Sequence, residues 1–493
     1  MGKFYLTNAI AYVNAGPHMG HALELCQGDA LTRYRRLKGD DVFFLIGTDE
    51  HGTKIEQVAK TAGVAPQELA DKNSALFVEL AKMLDLKNDG FVRTTDDLHK
   101  RGAQKFWELI KDDFEEREYE GKYCTGCEAF VLDKDLVDGN CATHKKPPEL
   151  LKEKNIFFKL SKYSDAIKQK VESGELTILP ESRRNEFLNV LNDGLLDTSF
   201  SRPKKTLSWG IPVPGREDQV MYVWCDALTN YITALGFADD ADLLKKYWPA
   251  DVHLIGKDII RFHAGVWIGM LLSAKMPLPK AIYVHGFVTS EGQKMSKSLG
   301  NVVDPIALIN KYGMNAVRYY LLREIPSDGD GDFSNERFCA LYKDELQNTI
   351  GNLVRRVLTL AVKNFDGRVL EGNAEVDGEI QTAEKNYDAC FNQFKIKDAL
   401  EAMVSLARFA NLYVDTNKPW LLAKTDTQKL EIVLGNLIKI CRVLGHMLEP
   451  IIPGIAQKIL AQVGEDKLIA LEPLFPPQVD AGTFVLLSNH CFG

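Results

Sequence analysis

Two histidines separated by two residues, His18 and His21, stand where an apolar stretch of the chain gives way to a helical pattern. The first turn of a helix exposes backbone N–H groups and partial positive charge, so it favours phosphate. Gly20, between the histidines, lets a ligand approach where a side chain would collide. Both imidazoles can donate to phosphoryl oxygens and stabilise charge during nucleotidyl transfer. The alternative is a pair of surface histidines with ordinary partners.

A second group of cationic and hydroxyl side chains lies in the glycine-containing loop 291–298. Lys294 and Lys297 alternate there with Ser296 and Ser298. Such a loop can close on a pyrophosphate leaving group and neutralise it in the transition state. A run of charges alone is more often a solvated surface, but together with the histidine pair it predicts a site for nucleotide chemistry.

Three cysteines and a histidine form two knuckles, Cys124 with Cys127 and Cys141 with His144. Three thiolates and one imidazole make a tetrahedral zinc set, and four protein ligands leave no position for catalysis. The pattern therefore predicts one structural Zn²⁺. The alternative is an eroded knuckle in which His144 is a surface residue.

Five further cysteines are scattered singly among apolar residues, which is typical of reduced, buried thiols in a cytosolic protein. They are Cys26, Cys225, Cys339, Cys390 and Cys441. The N-terminus has no apolar segment of signal-peptide length, and no run of 18 apolar residues is free of charge. We expect a cytoplasmic protein without a membrane span.

The elements that must position these groups are predicted by apolar periodicity. Residues 4–13 and 41–46 form apolar strands, and helical patterns follow from His18 and from about Thr53. Strand signals resume at 220–224, 252–255 and 281–284. The fold class is therefore α/β, a doubly wound Rossmann-type parallel sheet split by a zinc-bearing insertion and followed by an α-helical bundle.

The same patterns divide the chain into four segments. The first half of the catalytic fold spans 1–116, the connective insertion 117–218, the second half with the lysine loop 219–331, and the linker and helical domain 332–493.

The net charge is −8, from 60 Lys and Arg against 68 Asp and Glu, in a chain of 493 residues. This balance argues against a general nucleic-acid coat, which is usually basic. It does not exclude a nucleic-acid partner, because net charge averages over all faces of a protein.

The motifs resemble those of class I aminoacyl-tRNA synthetases. Pro17–His21 is similar to the family's His-Ile-Gly-His signature, with Met19 in place of isoleucine, and 294–298 matches its Lys-Met-Ser-Lys-Ser signature letter for letter. Four segments, 9–14, 47–52, 222–231 and 253–267, further resemble the methionyl-tRNA synthetases. That resemblance implies a methionine–tRNA ligase that forms methionyl-adenylate from methionine and ATP, with Mg²⁺ accompanying ATP, and transfers methionyl to tRNA(Met).

The resemblance also assigns roles to individual residues. Asp49 pairs with the methionine ammonium group, and aromatic rings meet the thioether. The implied methionine-binding residues are Ala9, Ile10, Tyr12, Asp49, Trp224, Ala227, Leu228, Tyr231, Ile259, His263 and Trp267. The implied ATP-binding residues are His18, Gly20, His21, Gly256, Asp258, Lys294 and Lys297, of which both histidines and both lysines are catalytic.

In the helical domain, residues 410–420 resemble the anticodon-binding helix of the family, and Asn411 is implied to contact a base edge. The insertion of about 100 residues is too short for the large editing domain of the isoleucine, valine and leucine enzymes. No appended oligonucleotide-binding fold is visible, so we expect a monomer.

Two other function classes remain open at this point. Another class I ligase or a small-molecule nucleotidyltransferase would share the histidine motif, although a nucleotidyltransferase needs neither the helical bundle nor the insertion. A zinc-knuckle RNA-binding protein without catalysis would not need both the histidine and the lysine pair.

Overall fold

The computed structural model describes residues 2–125, 129–131, 133, 136–142, 145–290, 292–294, 303–464, 466–469 and 473–476. At six of these positions, 119, 129, 130, 151, 293 and 294, it describes the backbone alone. The chain forms two compact units. The first contains the chain up to Pro17, Gly39–Ala81 and Lys87–His285; the second contains His18–Lys38, Lys82–Leu86 and the chain from Gly286 onward.

Nineteen strands are present in the described residues. They are β1 Lys3–Asn8, β2 Ala11–Tyr12, β3 Asp41–Asp49, β4 Gly90–Arg93, β5 Phe114–Cys124, β6 Ala129–Val131, β7 Leu136–Val137, β8 Asn140–Cys141, β9 Glu149–Phe158, β10 Thr177–Leu179, β11 Thr198–Ser199, β12 Ser201–Pro203, β13 Pro212–Val213, β14 Arg216–Met221, β15 Val252–Gly256, β16 Ala281–His285, β17 Val288–Ser290, β18 Gln293–Lys294 and β19 Gly331–Phe333.

The described residues also form nineteen α-helices and two π-helices, Arg261–Trp267 and Tyr342–Gly351. The α-helices are α1 Met19–Leu37, α2 Thr53–Ala62, α3 Pro66–Met83, α4 Asp97–Ile110, α5 Ser164–Glu172, α6 Glu181–Asn192, α7 Val223–Ala227, α8 Asn230–Thr233, α9 Asp242–Tyr247, α10 Ile268–Ser273, α11 Pro305–Tyr312, α12 Met314–Arg323, α13 Asn335–Leu341, α14 Asn352–Phe365, α15 Asp377–Asn392, α16 Ile396–Asn417, α17 Pro419–Thr425, α18 Thr427–Leu448 and α19 Pro453–Gln462.

The first unit is built on a parallel sheet with the order β10-β16-β15-β1-β3-β2, and β4 also pairs with β3. Its strands are nearly continuous apolar runs, as expected of a parallel sheet covered on both faces. β15 is buried at every position, and β3 is buried from Val42 to Asp49. The predicted Rossmann-type sheet is confirmed.

The strand order determines where a ligand can bind. β1 lies between β15 and β3, so the chain order reverses at β1, and open parallel sheets bind ligands at the carboxyl ends of such strands. Asn8, Asp49 and Gly256 end these three strands, and His285 ends the neighbouring β16. The carboxyl edge therefore gathers polar side chains from three strands and a glycine from the fourth.

The region between the halves of this sheet forms smaller antiparallel sheets, with the orders β11-β9-β5-β6 and β12-β14-β13. The strand predicted at 220–224 ends earlier, at Met221, because Asp226 N–H donates to Tyr222 C=O and begins α7. A short apolar run cannot by itself distinguish a buried strand from a buried helical turn.

The second unit contains α1, α11–α19 and the small sheet β18-β17-β19. Its helices are amphipathic. In α14 the buried residues Leu353, Val354, Val357, Leu358 and Ala361 recur at helical spacing and form one stripe. The predicted α-helical bundle is confirmed. No helix within the described ranges is both long enough and apolar enough to cross a lipid bilayer.

A buried ion pair lies within the second unit. Arg318 in α12 and Asp29 in α1 are fully buried, with 2.7 Å between Nη2 and Oδ2. Arg318 also donates to the carbonyl oxygens of Leu84, Pro450 and Ile451 at 2.6–3.1 Å. One guanidinium thus ties α1 to the loop 82–86 and to the turn before α19.

Replacing Arg318 by leucine is expected to destabilise the second unit by about 3–5 kcal/mol, because Asp29 and three carbonyl groups lose a buried donor. The temperature of its thermal unfolding, followed by circular dichroism, measures this loss. Arg368→Ala is the control, since Arg368 pairs with Glu431 on the surface and its side chain is 60% exposed. Equal melting temperatures for the two variants would contradict the prediction.

Candidate active site

The carboxyl ends of β1 and β3 carry the first of the predicted pocket residues. Ala9 N–H donates to Leu254 C=O at 2.9 Å, which fixes the chain directly after β1. Tyr12 in β2 lies opposite Asp49 at the end of β3. Asp49 is 8% exposed, and the half-buried side chains of Ala9, Ile10 and Tyr12 pack against the apolar core of the first unit. A buried carboxylate beside apolar walls can bind an ammonium group.

An aromatic group lies on the same core. Trp224 in α7 stacks on Phe262 with ring centroids 3.9 Å apart and 4° between the planes. The ring centroids of Tyr231 in α8 and Trp267 lie 5.9 Å apart. Those of Trp224 and His263 lie 6.0 Å apart in an edge-to-face arrangement. The rings come from two chain segments that the sequence separates by about thirty residues. Ring edges and faces at this spacing suit a flexible, polarisable thioether.

Hydrogen bonds fix the protonation of the two histidines in this group. His263 Nδ1 donates to Ile259 C=O at 3.0 Å, so Nε2 accepts from the Tyr231 hydroxyl at 2.6 Å. His253 Nε2 accepts from Trp267 Nε1 at 3.2 Å, so Nδ1 donates to the Thr7 hydroxyl at 2.7 Å. Burial lowers the pKa of His263 to about 4 and the pKa of His253 well below its ordinary value. Both rings are neutral at pH 7.

The remaining pocket predictions lie on the same elements. Ala227 and Leu228 are buried at the end of α7, and Ile259 is half-buried in the turn after β15. Gly256 ends β15 close to Asp258, since a Cβ at Gly256 would lie 3.1 Å from Asp258 Oδ1. The first unit therefore contains all eleven predicted methionine-binding residues and two of the predicted ATP-binding residues, Gly256 and Asp258.

His18 and His21 form the N-terminal cap of α1 in the second unit. His18 Nδ1 accepts from Gly20 N–H at 3.1 Å, and His21 Nδ1 accepts from His18 N–H at 3.2 Å. The rings stack with centroids 3.8 Å apart. Because each Nδ1 accepts, each neutral ring carries its proton on Nε2, which makes both histidines donors to an anion. A side chain at Gly20 would lie 2.9 Å from His18 Cε1, so glycine permits this arrangement.

The hairpin that leads into the lysine loop is held by Asp332 of β19. Its carboxylate accepts from the Thr289 hydroxyl at 2.7 Å and from Gly292 N–H at 2.8 Å. Gly292 turns with φ +72°, and Lys294 lies opposite Thr289 in β18. The Lys294 side chain and the whole of Lys297 lie outside the described residues.

Two of the predicted zinc ligands are described. Cys124 ends β5 and Cys141 ends β8; each is 4% exposed, and neither forms a disulfide. Cys141 N–H donates to Lys146 C=O at 2.9 Å, which closes a turn after β8. Cys127 and His144 lie outside the described residues. Two buried, reduced thiols fit a zinc site as donors.

Asn411, the predicted anticodon contact, lies in α16. Its side-chain amide donates to Thr349 C=O and to Ala407 C=O, both at 2.9 Å. Trp420, in the following helix α17, is 41% exposed, and its ring centroid lies 5.7 Å from the Arg356 guanidinium carbon. An exposed ring beside a cation is a surface on which an unpaired base can stack.

Sequence reasoning missed Phe262 and His253 as parts of the pocket. His253 is a polar residue inside an apolar strand and pairs in register with Thr7 of β1. A polar pair at matching positions of two buried strands was a usable signal. No signal in the sequence indicated Phe262, because its position opposite Trp224 depends on the π-helix that contains it.

Comparisons with known proteins show which family the chain resembles along its length. The model of the family described as "tRNA synthetases class I (M)" matches residues 4–143 and 132–358, and "Anticodon-binding domain of tRNA ligase" matches 374–486. A methionine–tRNA ligase of Brucella suis is 40% identical over 97% of this chain and 98% of the relative. One from Clostridium acetobutylicum is 44% identical over 94% of this chain and 73% of the relative.

A solved structure is similar over the same extent. Mycobacterium tuberculosis methionyl-tRNA synthetase in complex with methionyl-adenylate superposes with a TM-score of 0.92 at 38% identity. The match covers 97% of this chain and 100% of that one.

Proposed function

The chain belongs to the class I aminoacyl-tRNA synthetases of the methionine type, and we propose from that membership which of its residues carry out each step. The enzyme is a methionine–tRNA ligase. A carboxylate oxygen of methionine attacks the α-phosphorus of ATP, which gives methionyl-adenylate and pyrophosphate. A hydroxyl of the terminal ribose of tRNA(Met) then attacks the methionyl carbonyl and releases AMP. The aromatic group of Trp224, Tyr231, His263 and Trp267 is the single observation that most supports this specificity.

Methionine is held by the first unit. The Asp49 carboxylate pairs with its ammonium group, while Trp224, Tyr231 and Trp267 surround the thioether. The neutral His263 accepts a hydrogen bond from the Tyr231 hydroxyl at Nε2 and so fixes the direction of that hydroxyl. A charged His263 could not accept that hydrogen bond. Smaller apolar walls come from Ala9, Ile10, Tyr12, Ala227, Leu228 and Ile259.

ATP binding is assigned to the histidine pair, to the lysine loop and to the end of β15. Gly256 and Asp258 contact the adenosine. His18 and His21 donate from Nε2 to the triphosphate, and Gly20 leaves room for it. Lys294 and Lys297 neutralise the leaving pyrophosphate, and Mg²⁺ accompanies ATP as a further charge on its phosphates. No side-chain nucleophile is required, because the substrate carboxylate supplies it.

The helical bundle binds the anticodon stem-loop. Asn411 offers its amide carbonyl to a base edge, since both of its N–H groups have partners in the bundle. The exposed Trp420 and the adjacent Arg356 supply stacking and charge.

One Zn²⁺ is held by Cys124, Cys127, Cys141 and His144, and it organises the end of the insertion without taking part in the reaction. The buried position of the two described thiols supports this assignment. We place the enzyme in the cytoplasm, where such thiols stay reduced, and expect it to act as a monomer.

Purified protein is expected to contain one zinc per chain. Cys124→Ser should abolish stoichiometric zinc, because it removes one of four ligands. Cys390→Ser, at a half-buried single cysteine, should retain it. Plasma emission spectrometry of gel-filtered protein measures the content. A folded, active enzyme without zinc would contradict the prediction.

The function is tested by charging. The protein, ATP, radiolabelled methionine and an unmodified tRNA(Met) transcript should yield acid-precipitable methionyl-tRNA and one AMP per methionyl group. The same transcript with a changed anticodon should be charged far less. A folded protein that charges no transcript would overturn the proposal.

A further inference from the structure

A fully buried carboxylate lies between two histidines in the first unit. Asp226 of α7 is 0% exposed, and its oxygens lie 2.7 Å from His51 Nδ1 and 2.9 Å from His99 Nε2. His51 follows β3, whereas His99 belongs to α4. None of these three side chains has a role in the reaction derived above. Burying a carboxylate without hydrogen-bond donors costs free energy, and the contacts with the two histidines offset that cost.

The hydrogen bonds define one protonation pattern. A carboxylate that accepts from both rings requires a proton on His51 Nδ1 and on His99 Nε2. His99 Nδ1 lies 2.8 Å from the Thr233 hydroxyl, so both ring nitrogens of His99 have hydrogen-bond partners. Burial alone would raise the pKa of Asp226, but His51 and His99 more than offset it and hold that pKa below its usual value. The acid is therefore ionised.

The network joins the two segments that carry the methionine pocket. His51 stands two residues after Asp49, and Asp226 stands between Trp224 and Ala227. α7 has only five residues, and so short a helix is not stable by itself. Its position therefore depends on side-chain anchors, of which the buried Asp226 is the most central.

Close packing surrounds the Asp226 network, with Trp209 on the His51 side and Gly102 and Thr233 on the His99 side. The Trp209 ring lies 5.3 Å from the His51 ring, and Trp209 Nε1 donates to Glu50 C=O at 2.6 Å. On the other side, α4 approaches α8 closely at Gly102, where a Cβ would lie 2.4 Å from Thr233 Cγ2. Small displacements of the anchors would thus reach the pocket.

We propose that Asp226, hydrogen-bonded by His51 and His99, is a positioning residue that holds Asp49 and Trp224 in the arrangement that binds methionine. The proposal rests on the function proposed above. Asp226 does not touch the reacting atoms in this account. Its effect is confined to methionine, because the network joins only segments of the amino-acid pocket.

Matched amide replacements test the proposal. The amide nitrogen of glutamine can occupy the place of a histidine Nε2, and that of asparagine the place of Nδ1. His99→Gln and His51→Asn therefore keep a donor for Asp226, whereas leucine at either position removes it. The variants to compare are His51→Leu, His51→Asn, His51→Gln, His99→Leu, His99→Gln and His99→Asn.

The measurement is steady-state ATP–pyrophosphate exchange. Both leucine variants should raise KM for methionine by about 10- to 100-fold and leave KM for ATP within about two-fold. His99→Gln and His51→Asn should bring KM for methionine most of the way back to the wild-type value. His99→Asn and His51→Gln, which place the amide nitrogen at the wrong ring position, should not. Thr233→Val, which removes the hydroxyl that lies beside His99 Nδ1 and donates to Asn230 C=O, should raise the same KM about three-fold, and it serves in place of any leucine variant that does not fold.

Three results would overturn the proposal. The first is an unchanged KM for methionine in the folded leucine variants or in Thr233→Val, and the second is an equal rise of KM for methionine and KM for ATP. The third is an equal recovery of KM for methionine with asparagine and with glutamine at the same position. Each of these requires a wild-type enzyme that is active with methionine. A wild-type protein without methionine-dependent exchange would instead refute the proposed function on which the inference rests.

Discussion

Replacing Lys297 by alanine is expected to slow methionyl-adenylate formation by a factor on the order of 10²–10³, because one donor to the charge that develops on pyrophosphate is lost. The affinity for methionine should change by less than about two-fold, since the methionine pocket belongs to other residues. An effect on the rate without an effect on ground-state binding is typical of a group that acts in the transition state.

Single-turnover kinetics of adenylate formation and equilibrium dialysis with methionine measure the two quantities. Lys168→Ala is the control, because Lys168 lies on the surface helix α5 and contacts Glu172 at 4.0 Å. An unchanged rate of adenylate formation in correctly folded Lys297→Ala would remove this lysine from the mechanism.

Replacing Asp49 by asparagine is expected to weaken methionine binding by about 2–5 kcal/mol, because the substrate ammonium would be desolvated without a counter-charge. Asp49 is 8% exposed, so water cannot readily replace the carboxylate. Binding of ATP should be unaffected. Calorimetric titration with methionine and with ATP gives both affinities.

An analogue without the ammonium group provides the control for Asp49→Asn. The thioether acid 4-(methylthio)butanoate should bind the variant and the wild-type protein about equally, because the altered contact is missing from both complexes. If the variant lost affinity for this acid as severely as for methionine, the role of Asp49 would be structural rather than electrostatic.

Much of the fold followed from apolar patterning. The buried runs at β3, β15 and β16 and the helical stripes after Asp332 were predicted close to their observed bounds. The strand predicted at 4–13 was too long, because β1 ends at Asn8 and β2 covers only Ala11–Tyr12. The strand predicted at 220–224 was wrong beyond Met221, because a local hydrogen bond from Asp226 N–H starts a helix there. In so short a segment, the choice between strand and helical turn leaves no periodic pattern of apolar residues.

The pocket was predictable only in part. Tyr231, His263 and Trp267 follow from family resemblance, but the tautomers that join them to each other and to His253 required distances. Likewise, the sequence places His51, His99 and Asp226 on three separate elements. Their union depends on how α4 and α7 pack, which no pattern along the chain records.

The most direct test of the account is ATP–pyrophosphate exchange measured with each of the twenty amino acids in turn. The account predicts exchange with methionine and only background with the other nineteen, because the ring-lined pocket, with neutral His263 and His253, suits a thioether. Exchange supported by another amino acid in preference to methionine, or no exchange by a folded protein, would contradict it.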